Sequence, residues 1–116
     1  MATIQITDLT LKAIIGTNNW ERKVKQKIVI NVTMEYNPDK AIATDHIREA
    51  LDYKVITKKI LFEVKKSKFY LLESLTAFVL AIIMENKKVR KASVRIDKPL
   101  ALRFAKSVSV ELTRRR

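Results

Sequence analysis

The sequence predicts an α+β fold of order ββααββ, a four-stranded antiparallel sheet with two helices on one face. Three observations carry this. Apolar residues alternate with polar ones in the first third of the chain, fall four apart in the middle, and alternate again toward the end. An antiparallel sheet that buries one face under helices satisfies that pattern.

Ile4 and Ile6, then Leu9, Leu11 and Ala13, alternate across an interruption at Thr7-Asp8, as in a half-buried strand with a bend. Gly16, the only glycine, ends this strand. Residues 17 to 26 are polar and basic around Trp20. Ile28, Ile30, Val32, Met34 and Tyr36 then line one face of a second strand, expected to form a hairpin with the first. Asn37-Pro38-Asp39 stops it, because proline cannot donate to a ladder and Asn and Asp favour turns. A short helical turn is expected after Asp45. From about Tyr53 to Lys66, Ile56, Ile60 and Val64 stack along one helix face. Ser67-Lys68-Phe69-Tyr70 separates this helix from a second, starting near Leu71, whose buried stripe is Leu72, Leu75, Phe78, Val79 and Ile82. After Asn86-Lys87-Lys88, alternation returns through Ala92, Val94 and Ile96, is cut at Pro99, and resumes at Val108, Val110 and Leu112. The far sheet face still carries apolar residues such as Val29, so association through sheet edges is expected.

With 116 residues, 47% of them hydrophobic, the chain suits a single domain over residues 1–116. It has no cysteine, which excludes disulfides, thiolate metal sites and a cysteine nucleophile. With one histidine besides, no metal is expected, and His46 reads as a solvated imidazole. A single glycine leaves no Gly-rich phosphate cradle. Met1-Ala2-Thr3-Ile4-Gln5 shows no basic leader, and the apolar run Val79 to Met84 is too short to span a bilayer, so a soluble, cytoplasmic protein with no membrane partner is expected. The net charge of +12 and the tail Arg114-Arg115-Arg116 raise a competing reading, a basic nucleic-acid-binding module. Aromatics at only 7%, Phe69 and Tyr70 flanking a helix, and the lack of a glycine clamp loop weigh against it.

Four residues invite chemistry. Lys98 closes a strand and precedes Pro99, which keeps it extended and stops the ladder, so its ammonium rides on a stiff support. Alone, such a lysine is an ordinary edge charge. Glu73 opens the second helix, where an acid complements the dipole. Tyr53 reads equally as a core aromatic and Glu21 as a loop charge.

At these positions the sequence resembles the dihydroneopterin aldolase family, and within it the branch of dihydroneopterin triphosphate 2'-epimerases. The likeness runs almost end to end. It lies in Ile15-Gly16 followed by Glu21, Gln26 before Ile28-Val29-Ile30-Asn31-Val32-Thr33, Asp39-Lys40-Ala41, Ala50-Leu51 with Tyr53, Leu71-Leu72-Glu73 with Leu75, and Ile96-Asp97-Lys98. Ala101-Leu102-Arg103-Phe104-Ala105-Lys106-Ser107-Val108-Ser109 and Thr57-Lys58 are similar to the epimerases. Ile14-Ile15 stand where aldolases often place an aromatic and a histidine, whereas Pro99 is more aldolase-like.

The resemblance implies the tunnelling fold, with rings stacked into an octamer of two tetrameric rings and active sites between protomers. It implies that Glu73, with Leu72, binds the amino and ring N–H edge of a pterin, a paired-donor edge that suits a carboxylate. Lys98 and Tyr53 would handle protons, Tyr53 arriving from a neighbouring subunit, and Glu21 would orient the substrate side chain or a water. The substrate's N5=C6 imine accepts the electrons of the breaking C1'–C2' bond, so no cofactor is implied. Lys98 is the expected base toward the 2'-hydroxyl. Escape of the aldehyde gives aldolase activity, with glycolaldehyde and 6-hydroxymethyl-7,8-dihydropterin as products; turnover and re-addition inverts C2'. Arg103 and Lys106 are expected to hold a triphosphate.

Overall fold

The computed structural model describes residues 1–116. Strands β1 (Ala2–Ile15) and β2 (Gln26–Tyr36) form the expected hairpin, followed by helices α1 (Asp39–Thr44) and α2 (Tyr53–Lys66), strand β3 (Lys68–Phe69), helix α3 (Leu72–Met84) and strands β4 (Lys91–Pro99) and β5 (Ser107–Arg115). The sheet order is β3-β1-β2-β4-β5. Neighbours are antiparallel except β3, which runs parallel to the end of β1 through Ile14–Lys68 and Ile15–Phe69.

The sheet therefore has a fifth strand where the sequence predicts only a link between helices. Two residues are too few to show a period of two, so β3 leaves no pattern to read. Helix α1 was likewise not expected. It buries none of its residues, and a helix without a buried face carries no apolar stripe. The turn expected after Asp45 is present as one 3-10 turn, Ile47–Glu49.

The Thr7-Asp8 interruption is a register shift between Ile6 and Leu9. Asp8 takes a left-handed φ of 57°, and its N–H donates to Asn31 Oδ1 at 2.9 Å. A short polar side chain tolerates that conformation better than the β-branched residues around it.

One face of the sheet is covered. Ala13, Ile15, Ile28, Ile30, Val32, Met34, Val94 and Ile96 pack against Ile56, Ile60 and Val64 of α2 and Leu75, Val79 and Ile83 of α3. Asp52 starts α2, its Oδ1 accepting from the N–H groups of Lys54 at 3.1 Å and Val55 at 3.4 Å. No helix is long and apolar enough to cross a membrane.

Strand pairing decides which ends meet. The antiparallel register Val29–Asp97 lays the start of β2 beside the end of β4. The β1–β2 loop therefore approaches the last residues of β4, and β3 joins the same end of the sheet through Ile15.

Candidate active site

Lys98 shares the helix-side face of β4 with Val94 and Ile96, four and two residues earlier, both fully buried. Its Nζ donates to Glu21 Oε2, and the pair is nearly closed off, with side chains 14% and 7% exposed. Glu21 sits in a 3-10 turn, Trp20–Arg22, within the β1–β2 loop. Its Oε1 accepts from the Asn18 N–H at 3.2 Å. Gln26 Nε2 donates to Glu21 Oε2 at 3.1 Å and to Ile15 O at 2.7 Å, bracing the carboxylate against the strand end.

Gly16 makes room for this carboxylate. Its φ is +130°, a conformation side chains rarely adopt, and a Cβ there would lie 2.2 Å from Glu21 Cδ. The strand-ending glycine is thus the floor of the Glu21 pocket.

Burial opposes ionisation of Glu21, but the Lys98 ammonium, the Gln26 amide and the Asn18 N–H together outweigh it and lower its pKa from 4.5 to about 2. Because the folded value lies below the ordinary one, ionised Glu21 stabilises the fold fully above about pH 4.5, and that stabilisation is lost as pH falls toward 2. Glu21→Gln is expected to flatten the acid limb of stability in this window. Urea unfolding followed across it is the check, and an unchanged limb would contradict the role given to the pair.

Glu73 lies in the first turn of α3, exposed, two residues beyond the N-cap Leu71. Leu72, beside it, is half-buried against the core. Since Gly16 N–H donates to Phe69 O at 3.2 Å, α3 begins at the end of the sheet that holds Glu21 and Lys98.

Tyr53 lies elsewhere. It opens α2 and is 49% exposed, just after a turn in which Ala50 O accepts from Lys88 Nζ at 2.9 Å. Lys88 follows the C-terminal end of α3. At 1.5 Å per residue the run from Glu73 to Met84 places that end about 17 Å from Glu73. One protomer thus brings together Glu21 and Lys98, sets Glu73 at the same end, and leaves Tyr53 at the other.

Arg103 and Lys106 are exposed in the β4–β5 loop, which Leu100 N–H closes by donating to Lys106 O at 3.1 Å. The Arg103 guanidinium lies 5.3 Å from the Phe104 ring centre. Lys106 lines a hollow with Lys27, Asn31, Arg95 and Asp97 on the sheet face away from the helices. Gln26 received no role from the sequence, and Gly16 only that of a strand end. A glutamine opening a strand carries no signal for a carboxylate five residues earlier.

The profile of the FolB family, dihydroneopterin aldolase, matches residues 4–113. The chain belongs to this family. Among its relatives, the dihydroneopterin triphosphate 2'-epimerase of Pseudomonas aeruginosa is 45% identical over 112 residues, covering 97% of this chain and 91% of its own. The epimerase of Escherichia coli K12 is 46% identical over 112 residues, covering 97% and 93%. Escherichia coli dihydroneopterin aldolase, solved in complex with neopterin, superposes with a TM-score of 0.93 at 25% identity, covering 98% of this chain and 99% of that one. These relatives are enzymes, and the dihydroneopterin aldolase family supplies the tunnelling fold expected from the sequence, to which β3 adds its short fifth strand.

Proposed function

We propose that this protein inverts C2' of 7,8-dihydroneopterin triphosphate by retro-aldol cleavage and re-addition. The observation that carries this is the buried Lys98–Glu21 pair at the end of β4, in a chain 45–46% identical to epimerases over nearly its whole length.

The pterin edge binds at Glu73, with Leu72 beside it. As the C1'–C2' bond breaks, its electrons form C1'=C6 and shift the N5=C6 pair onto N5, which takes up a proton. The 2'-hydroxyl gives up its proton and C2' becomes an aldehyde. Lys98, directly or through a water, takes that proton, and Glu21 stabilises the ammonium so formed. At rest Lys98 is the ammonium against ionised Glu21, so it becomes a base by first giving a proton, through a water, toward N5; the amine so freed takes the 2'-hydroxyl proton and the pair returns to its starting state. Tyr53 handles the proton on C1' when cleavage runs to completion.

The released aldehyde carries the triphosphate. Cationic contacts from Arg103 and Lys106 hold that fragment in place, and an aldehyde that turns over and re-adds gives the 2'-epimer. Without the phosphates glycolaldehyde escapes, and the same site acts as a dihydroneopterin aldolase. Incubating the protein with 7,8-dihydroneopterin triphosphate should yield the 2'-epimer, and with 7,8-dihydroneopterin a larger share of 6-hydroxymethyl-7,8-dihydropterin and glycolaldehyde. No product from either substrate rejects the reading. Arg103→Ala is expected to raise KM for the triphosphate by about tenfold and to leave KM for dihydroneopterin within about twofold. Lys106→Ala, on the far face of the sheet, should have the smaller effect of the two. Equal changes for both substrates would remove Arg103 from phosphate binding.

The pterin is bound by a cytoplasmic homo-octamer of two tetrameric rings, each single-domain protomer supplying one part of a site. The separation of Tyr53 from Lys98 within a protomer supports a shared site. Lys98→Met and Tyr53→Phe variants, each of low activity, should regain roughly a quarter of wild-type turnover when assembled together at random, since one interface in four then carries both native residues. Mixed assemblies no more active than the separate variants would place Tyr53 and Lys98 in one protomer's site.

A further inference from the structure

Arg22 neighbours Glu21 in the same 3-10 turn yet reaches across to a different part of the fold. Its Nη1 donates to Gly16 O at 3.1 Å and Phe69 O at 2.9 Å, and its Nη2 donates to Lys68 O. The guanidinium also lies over the Tyr70 ring, 3.8 Å from its centre. It forms no ion pair with a carboxylate. Every partner is thus a backbone carbonyl or a ring on a segment that borders the candidate active site.

Besides Arg22, the segment is held by the Gly16 N–H bond to Phe69 O and by the Phe69 ring, which lies 5.1 Å from that of Phe78 on α3. Strand β3 pairs with β1 through two residues only, and the chain runs from it through Tyr70 to Leu71, which starts α3 without a side-chain cap. The placement of Glu73, in the first turn of α3, is therefore inherited from β3. Glu21, one residue before Arg22, is fixed to Lys98. We propose that Arg22 is a positioning residue that clamps the β1–β2 loop to β3 and so sets the pterin-binding start of α3 in register with the Lys98–Glu21 pair. This rests on the pterin reading above for its catalytic consequence, though not for the clamp itself.

A guanidinium suits the task because its planar fork serves several carbonyls at once while its face stacks on an aromatic ring. A lysine keeps the charge but offers one small head that cannot do both. Misplacement of a bound ring by about 1 Å relative to the proton carrier is enough to lower the rate about 100-fold.

The test compares Arg22→Ala and Arg22→Lys with the wild type. In both variants kcat for the triphosphate is expected to fall about 10- to 100-fold with KM changed less than about threefold, since the pterin still binds α3 but out of register. Unchanged kcat in folded protein overturns the positioning role, because a residue that only stabilises the fold lowers the melting temperature and leaves turnover per folded molecule intact. Should Arg22→Ala not fold, Arg22→Lys decides. Amide hydrogen exchange reads the clamp without any substrate. Amides of residues 68–73 should exchange at least about tenfold faster in the variants, while those of Ile28 to Met34 keep their protection. Unchanged exchange at 68–73 overturns the clamp even if the wild type turns over no pterin. Faster exchange there with an inactive wild type upholds the clamp and rejects the pterin chemistry alone.

Discussion

Lys98→Met is expected to lower turnover of the triphosphate by about 10²- to 10⁴-fold, the range set by loss of a positioned proton carrier. Methionine nearly matches the length of the lysine stem, so the β4 backbone and its pairing with β5 need not move. The buried carboxylate of Glu21 then loses the ammonium that offsets its burial. Removing one member of a buried pair costs about 3–5 kcal/mol. The two effects separate in a double variant. Adding Glu21→Gln to Lys98→Met removes the stranded charge and should restore much of the stability while restoring none of the turnover. Urea unfolding and a product assay on the four proteins of this cycle provide the check. A Lys98→Met enzyme within tenfold of wild-type turnover would remove Lys98 from the chemistry.

Gly16→Ala is expected to have the next largest effect, through two causes that add. A φ of +130° is foreign to alanine, and holding it there costs about 1–3 kcal/mol. The new methyl also falls on the Glu21 carboxylate, with contacts of 2.2 to 2.4 Å to Cδ, Oε2 and Oε1. The carboxylate lies at the end of a side chain, so it moves before the backbone does, and it moves off Lys98. Turnover should therefore drop about 100-fold even under conditions where the variant is folded. Combining Gly16→Ala with Glu21→Ala removes the collision and leaves only the backbone strain, so the double variant should be less destabilised than the sum of the singles. Additive losses would mean that the methyl and the carboxylate do not meet.

Gly16 also marks the limit of what could be read without coordinates. As the only glycine after an alternating strand it is legible as a strand end, but nothing in the sequence says that a carboxylate five residues later folds back over it. The same holds for Lys98. Asp97 is its neighbour in sequence, yet it faces the other side of the sheet, accepting from Arg95 Nε at 3.0 Å and Ser107 Oγ at 2.8 Å. The carboxylate that Lys98 meets is Glu21, 77 residues away. The family likeness placed Glu21 among the site residues but did not pair it with Lys98.

What the sequence alone determined is the set of long elements and the face each one buries. Strands repeat burial every two residues and helices every 3.6, so β1, β2, α2, α3, β4 and β5 each leave a periodic trace that local composition cannot hide. Elements that bury nothing or span two residues, α1 and β3, leave no such trace. Only the tertiary structure decided the constellation at the end of the sheet, with Glu21 folded over Gly16 and paired with Lys98, Arg22 reaching across to β3, and Tyr53 set toward the far end of α3. The reason is that β2 pairs with β4 rather than with the strand that follows it in the chain. That crossing brings together residues whose proximity depends on strand order, and periodicity carries no record of strand order.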